Sequence, residues 1–137
     1  MNIVLDTNVL LVALPSKSIY HPIFTSLLKK SFDLVVTNEI ISEYEEQLSI
    51  RLGKDRTDLH LVELLNLPNI HKIDSYYLWQ LIEADKDDNK FVDCAIACNA
   101  DFLVSNDAHY NILATIEFPK VKVIKAQAFL QMLPTIH

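Results

Sequence analysis

The segment NIVLDTN, residues 2–8, contains the pattern that decides the fold. Residues 3–5 are continuously apolar, which is typical of a strand buried on both faces, and a polar Asp-Thr-Asn sequence follows at once. Similar apolar runs predict further strands at residues 34–36, 70–73, 102–104 and 121–124. Helical periodicity is found at residues 8–14, 21–30 and 57–65, after Thr37, after Asn89 and around Phe129. Apolar strands separated by helices predict an α/β fold whose central parallel sheet is covered on both faces.

Length and composition indicate one domain over residues 1–137. Half of the residues are hydrophobic, which supplies a core and argues against disorder. No apolar run approaches the roughly 18 residues that a membrane span requires, and the first residues lack the features of a signal peptide. We therefore expect a cytoplasmic protein. Gly53 is the only glycine, which excludes the glycine-rich phosphate loops of nucleotide-binding proteins.

Carboxylates stand at positions where strands and helices would bring them together. Asp6 and Asp107 follow predicted strands, and ligands collect beyond the carboxyl ends of parallel strands. Glu43 lies on the helix after the second strand, and Asp93 stands alone in an otherwise apolar helical stretch. Such anions would repel one another by roughly 4 kcal/mol per close pair at an effective dielectric of about 20. Their convergence therefore indicates a divalent metal site, most simply for phosphodiester hydrolysis.

Each carboxylate also has a purely structural interpretation. Asp6 and Asp107 could cap the helices that follow them, and Asp88 could cap the helix that contains Asp93. Glu43 could belong to a solvated acidic helix face, where like charges only slightly weaken the helix. The residues by themselves leave these alternatives open.

Other residues have weaker claims to a function. His109 could carry a proton or contact a phosphate, although a single loop histidine more often does neither. Cys94 and Cys98 lack further ligands at a zinc-binding spacing, so we interpret them as small buried apolar groups. The net charge of −6 disfavours nucleic acids in general. Two basic clusters could nevertheless bind phosphates, or could simply be solvated: Arg51, Lys54 and Arg56, and Lys120, Lys122 and Lys125.

Four segments, in this order along the chain, are similar to the motifs of a known family. They are LDTNVL at residues 5–10, SEY at 42–44, DDNKFVDCA at 87–95 and LVSND at 103–107. On these segments the chain resembles the PIN-domain ribonucleases, in particular the VapC-like toxin components of prokaryotic toxin–antitoxin pairs. The resemblance implies a three-layer α/β/α fold and cleavage of RNA with Mg²⁺ or Mn²⁺. It also implies a homodimer and a cognate antitoxin protein.

The resemblance assigns roles to particular residues of this chain. One or two cations would be held by four carboxylates, and further residues would orient these ligands or bound waters. The catalytic and metal-binding set is Asp6, Glu43, Asp93 and Asp107. The supporting set is Thr7, Asn8, Asp88, Ser105 and Asn106.

The sequence therefore predicts a divalent-metal-dependent endoribonuclease and, from the resemblance, the toxin of a toxin–antitoxin pair. A phosphatase that forms a phospho-aspartate is one rival, but such enzymes need a second Asp where this chain has Asn8. A PIN-like module that binds RNA or protein without cutting is the other alternative. No clustered aromatic residues are visible that would support base-specific contacts.

Overall fold

The structure, a computed structural model, describes residues 1–134 of the chain. Its centre is a sheet of five parallel strands in the order β3-β2-β1-β4-β5. The strands are β1 (Asn2–Leu5), β2 (Asp33–Val36), β3 (Ile70–Lys72), β4 (Phe102–Val104) and β5 (Val123–Ile124). The predicted α/β fold with a central parallel sheet is confirmed. Residues 135–137 of the predicted domain lie outside the described residues.

Helices connect the strands and cover the sheet. Ile3, Val4 and Leu5 are all buried although successive side chains of a strand point to opposite faces, so both faces are covered. No helix in residues 1–134 is long and apolar enough to cross a membrane. The α-helices are α1 (Thr7–Ala13), α2 (His21–Leu28), α3 (Asn38–Leu52), α4 (Lys54–Leu65), α5 (Asn89–Ala97) and α6 (Ala126–Met132). Two segments are 3₁₀ helices, Lys86–Asp88 and Ala108–Thr115.

Some element boundaries differ from the sequence prediction. The last strand has two residues where residues 121–124 were predicted, and within residues 1–134 it is an edge strand that pairs with β4 alone. The helix expected from residue 57 begins at Lys54, directly after Gly53. Gly53 has a positive φ of 80°, which ends α3 and lets the chain turn into α4.

The register between β1 and β4 fixes the position of the candidate site. Leu5 pairs with Val104, so the next residues, Asp6 and Ser105, leave the sheet side by side. The Asp6 amide donates to the Val104 carbonyl over 3.0 Å, which extends the pairing past the end of β1. The Tyr44 hydroxyl of α3 donates to the Leu5 carbonyl over 2.6 Å, so α3 is fixed at the same end of the sheet.

Candidate active site

Asp6 is a buried acidic side chain at this end of the sheet. It is 6% exposed, and its Oδ2 accepts a hydrogen bond from Ser105 Oγ over 2.7 Å. The Ser105 hydroxyl oxygen in turn accepts from the Asp107 backbone amide over 3.0 Å. Ser105 therefore links the carboxylate after β1 to the backbone that carries the carboxylate after β4.

Asp88, in the 3₁₀ segment before α5, is a further acidic residue near Asp6 and Asp107. Its side chain is buried, makes no capping hydrogen bond to α5, and lies 3.2 Å from His109 Nδ1. His109 Nδ1 also lies 3.3 Å from Asp107 Oδ1, and the His109 amide donates to that oxygen over 2.9 Å. His109 therefore stands between two carboxylates. Carboxylate oxygens of Asp85 and Asp88 and a ring nitrogen of His109 lie within 4.8 Å of one another, a spacing that a metal ion could bridge.

Glu43 of α3 is held by two partners. Thr7 Oγ1 donates to Glu43 Oε2, and Lys90 Nζ of α5 lies 2.7 Å from Glu43 Oε1. Both side chains of this ion pair are largely buried, so Glu43 does not belong to a solvated acidic face. Lys90 was not among the residues predicted from the sequence. The signal that could have revealed it is its position, two residues after Asp88 at the start of an otherwise apolar helix.

The structure does not bring Asp93 into the group formed by Asp6, Asp88 and Asp107. Asp93 Oδ1 accepts from the Trp79 backbone amide over 3.1 Å. Asp93 lines a cleft of about 610 Å³ whose lining also includes Lys90 but, among residues 1–134, none of Asp6, Asp88 and Asp107. Asp88 is the last residue of the 3₁₀ segment whereas Asp93 lies within α5, and they have different partners: His109 for Asp88 and the Trp79 amide for Asp93. Asp88, predicted as a supporting residue, takes the place predicted for Asp93: its charge raises the pKa of Asp6, and it shares His109 with Asp107.

Within residues 1–134, two predicted supporting residues form no hydrogen bond with the carboxylates. Asn8 is exposed on α1. Asn106 Oδ1 accepts from the Ala126 amide over 3.0 Å, so this side chain fixes the start of α6. Cys94 is buried with its Sγ 3.8 Å from the Val35 carbonyl oxygen, and Cys98 is half-buried. Within the part of the chain that the structure describes, neither cysteine belongs to a group of three potential metal ligands.

Aromatic residues are less dispersed than the sequence suggests. The ring centroids of Tyr77 and Trp79 lie 4.5 Å apart, and that of Phe118 lies 6.2 Å from Trp79. The expectation that no aromatic side chains cluster was wrong: Tyr77 and Trp79 are two residues apart in the chain, and Phe118 joins them from a distant segment.

Burial and mutual repulsion make the acidic group costly to ionise. Burial raises the pKa of Asp6 to about 6, and the charges of Asp88 and Glu43 add to this rise while the Ser105 hydrogen bond opposes it. Burial also raises the pKa of Asp88; Asp107 adds to the rise and the hydrogen bond with His109 opposes it. The negative charges of these acids therefore raise one another's pKa values.

The pKa of Asp93 has a different origin. Burial raises it, and the hydrogen bond from the Trp79 amide opposes the rise. Among residues 1–134, no other carboxylate contributes to the rise. This electrostatic isolation agrees with the separate position of Asp93.

The donor set suits a hard divalent cation. Asp6, Asp88, Asp107 and Glu43 supply carboxylate oxygens, which are the ligands that Mg²⁺ prefers in proteins. A bound cation would offset the burial and repulsion that raise the pKa values of Asp6 and Asp88. The donor types therefore suit such an ion, and among residues 1–134 the group whose ligand atoms all lie within 4.8 Å of one another is Asp85, Asp88 and His109.

The PIN domain family model matches residues 2–109, which include every acidic residue of the candidate site. The chain belongs to the PIN domain family. The matched region begins with β1 and ends at His109, so it contains the whole group built around Ser105. No curated protein matches the chain significantly.

Several solved structures are similar to this PIN domain. A chain of VapBC2 from Rickettsia felis, bound to a DNA fragment from its promoter, matches with a TM-score of 0.63 at 19% identity, over 91% of this chain and 98% of that one. VapC20 from Mycobacterium tuberculosis, a toxin that cleaves the sarcin–ricin loop, matches with a TM-score of 0.59 at 13% identity, over 82% and 94%. The PIN domain endonuclease Utp24 matches with a TM-score of 0.53 at 14% identity, over 90% and 84%. At these identities the similarity establishes the shared fold.

Proposed function

We propose that this PIN domain is a divalent-metal-dependent endoribonuclease that hydrolyses RNA phosphodiesters. The observation that carries the proposal is the grouping of Asp6, Asp88 and Asp107 around Ser105 and His109 at the end of the sheet. Asp6 is buried, and burial raises its pKa to about 6. Burying a carboxylate is costly unless it is paired or bound to a cation. A metal site accounts for this cost, because Asp6 makes no capping hydrogen bond to α1. Asp107, by contrast, also caps the 3₁₀ segment that follows it.

In this proposal Asp6, Asp88 and Asp107 hold Mg²⁺ or Mn²⁺, and Glu43 is a further ligand. The ion would supply Lewis acidity and lower the pKa of a bound water toward neutrality. Asp93, which the sequence predicted as a ligand, is a weaker candidate because, among residues 1–134, no other carboxylate contributes to the rise of its pKa.

The side chains around the carboxylates would divide the remaining tasks. Ser105 orients Asp6 by donating to its Oδ2. His109, between Asp88 and Asp107, would hold a proton near the scissile phosphate and transfer it to the leaving oxygen. Lys90 would fix Glu43 and present its ammonium group to a phosphate oxygen.

Cleavage of a mixed RNA pool tests the nuclease proposal. Wild type, Asp6→Asn and the exposed control Asp58→Asn are compared with Mg²⁺ or Mn²⁺ and with EDTA. We expect wild type and the control to cut, EDTA to abolish cutting, and Asp6→Asn to be inactive. Full activity of Asp6→Asn would refute the proposal, and a folded wild type that neither cuts RNA nor binds Mn²⁺ would favour the non-catalytic module.

We also propose that the protein acts as a cytoplasmic toxin, forms a homodimer and is neutralised by an antitoxin protein. The similarity in fold to a VapBC2 chain and to the toxin VapC20 supports this part. Expression should arrest growth, a small protein encoded beside the gene should relieve the arrest, and the mass in solution should be that of a dimer. Arrest that persists in the Asp6→Asn variant would contradict toxicity through RNA cleavage.

A further inference from the structure

A second cleft, of about 700 Å³, opens directly beside the acidic group. It is lined by residues of the 3₁₀ segment Ala108–Thr115, by the edge strand β5 and by Asp107. Three lysines from the β5 region line it as well: Lys120, Lys122 and Lys125. The cleft therefore adjoins the candidate active site through Ser105 and Asp107, which belong to both.

The charge of this cleft is opposite to that of the chain as a whole. The net charge of the chain is −6, yet among residues 1–134 the lining of the cleft contains three lysines and a single carboxylate, Asp107. In that same part of the chain none of the three lysines forms an ion pair. Their ammonium groups are exposed and available to an anionic ligand.

The backbone explains why the lysines converge. The Leu103 amide donates to the Lys122 carbonyl over 2.8 Å, so the segment before β5 already runs alongside β4. Residues two apart in an extended strand share a face, which directs Lys120 and Lys122 into the same cleft. Lys125 follows β5 and lies at the start of α6. Lysines on an edge strand also hinder strand pairing, but that role does not require them to line one cleft beside an acidic site.

We propose that this lysine cleft binds the phosphate backbone of a single-stranded RNA on one side of the bond to be cut. The inference rests on the proposed nuclease function and adds the path of the substrate. Lysines contact phosphates as point charges, so the cleft would hold RNA of any sequence. It would direct the RNA backbone toward Asp107 and the other carboxylates of the candidate active site.

The test is binding of a fluorescently labelled single-stranded RNA, followed by anisotropy in EDTA so that metal-dependent cleavage does not contribute. The cleft variant combines Lys120→Gln, Lys122→Gln and Lys125→Gln. The matched control combines Arg51→Gln, Lys54→Gln and Arg56→Gln, which removes the same charge from the other basic cluster. Circular dichroism establishes that both variants are folded.

We expect the cleft variant to bind RNA at least about tenfold more weakly at low salt, and the control to bind like wild type. Losing three phosphate contacts to a single strand should reduce the slope of log K against log salt by about 2. In cleavage assays the same variant should show a raised KM with kcat nearly unchanged.

Equal affinity and equal salt slope in wild type and cleft variant would overturn the inference, as would a wild type that binds no RNA. Equal RNA binding together with lost binding to an antitoxin would assign the cleft to a protein partner and also overturn it. If wild type binds RNA through the lysines but never cuts it, the cleft inference stands and the nuclease proposal fails.

Discussion

Ser105 donates a hydrogen bond from Oγ to Asp6 Oδ2 over 2.7 Å, across the pair of strands β1 and β4. The same hydroxyl oxygen accepts the Asp107 amide over 3.0 Å. One buried side chain therefore fixes two acidic residues that lie about a hundred positions apart along the chain. This arrangement makes Ser105 a positioning residue whose removal should disturb the site without removing a charge.

Ser105→Ala should weaken Mn²⁺ binding and RNA cleavage by about 10- to 100-fold, the usual effect of losing a partner that orients a metal ligand. The exposed substitution Ser31→Ala is the matched control. Calorimetric Mn²⁺ titration and cleavage rates measure the effect. Metal affinity and cleavage equal to wild type would show that Asp6 needs no orientation by Ser105.

Asp6→Asn should stabilise the metal-free protein above pH 6. Because burial raises the pKa of Asp6 from 3.8 to about 6, the folded state holds this proton more tightly than the unfolded state. The contribution to stability is present below pH 4 and is lost as the pH rises to about 6, and it amounts to about 3 kcal/mol. Asparagine keeps a carbonyl oxygen for Ser105 and carries no charge.

Urea unfolding in EDTA at pH 4 and pH 8 measures this difference, with Asp58→Asn as the control at an exposed position. We expect Asp6→Asn and wild type to be similar at pH 4, and the variant to be more stable at pH 8. Added Mn²⁺ should stabilise wild type and leave Asp6→Asn nearly unchanged. A variant less stable than wild type at pH 8 would contradict the buried-charge explanation.

Asp88→Asn and Asp93→Asn test which of the two residues is a metal ligand: Asp88, as the structure indicates, or Asp93, as the sequence predicted. Asp88 lies near Asp6 and between Asp85 and His109, whereas Asp93 is bonded to the Trp79 amide. Asp88→Asn should weaken Mn²⁺ binding by at least about tenfold and abolish cleavage. Asp93→Asn should retain nearly the metal affinity of wild type, and the opposite order of effects would restore Asp93 as the ligand.

Lys90→Met should destabilise the metal-free protein by about 2 kcal/mol, because the largely buried Glu43 loses a charged hydrogen-bond partner. The same substitution removes a positive charge beside the acids, so Mn²⁺ should raise the melting temperature of the variant more than that of wild type. Lys86→Met, at an exposed position, is the control. An unchanged stability in EDTA would mean that the ion pair contributes nothing to the fold.

Much of the fold could be predicted because its signals are local. The apolar runs at residues 3–5, 34–36 and 102–104 become central strands of the sheet. The edge strand β5 was less predictable, since the run predicted at 121–124 contributes only two residues that pair with β4. The number of residues that pair depends on neighbouring strands and not on the run itself.

Some residues of the candidate site could also be predicted from the sequence, and others could not. Asp6, Ser105 and Asp107 could be expected together, because parallel strands that end side by side place the following residues next to one another. The choice between Asp88 and Asp93 could not be made, because both are acids at one helix and the sequence does not fix which side of α5 faces the site.

The sequence by itself determined the parallel sheet and the edge at which acids collect, since both follow from strand patterns and from chain direction. Only the tertiary structure decided that Asp88 stands beside Asp6, that Lys90 pairs with Glu43 across two helices, and that three lysines share a cleft with Asp107. The physical reason is that these contacts depend on how helices rotate and pack against the sheet. That packing is set by many long-range contacts at once and leaves no local pattern in the sequence.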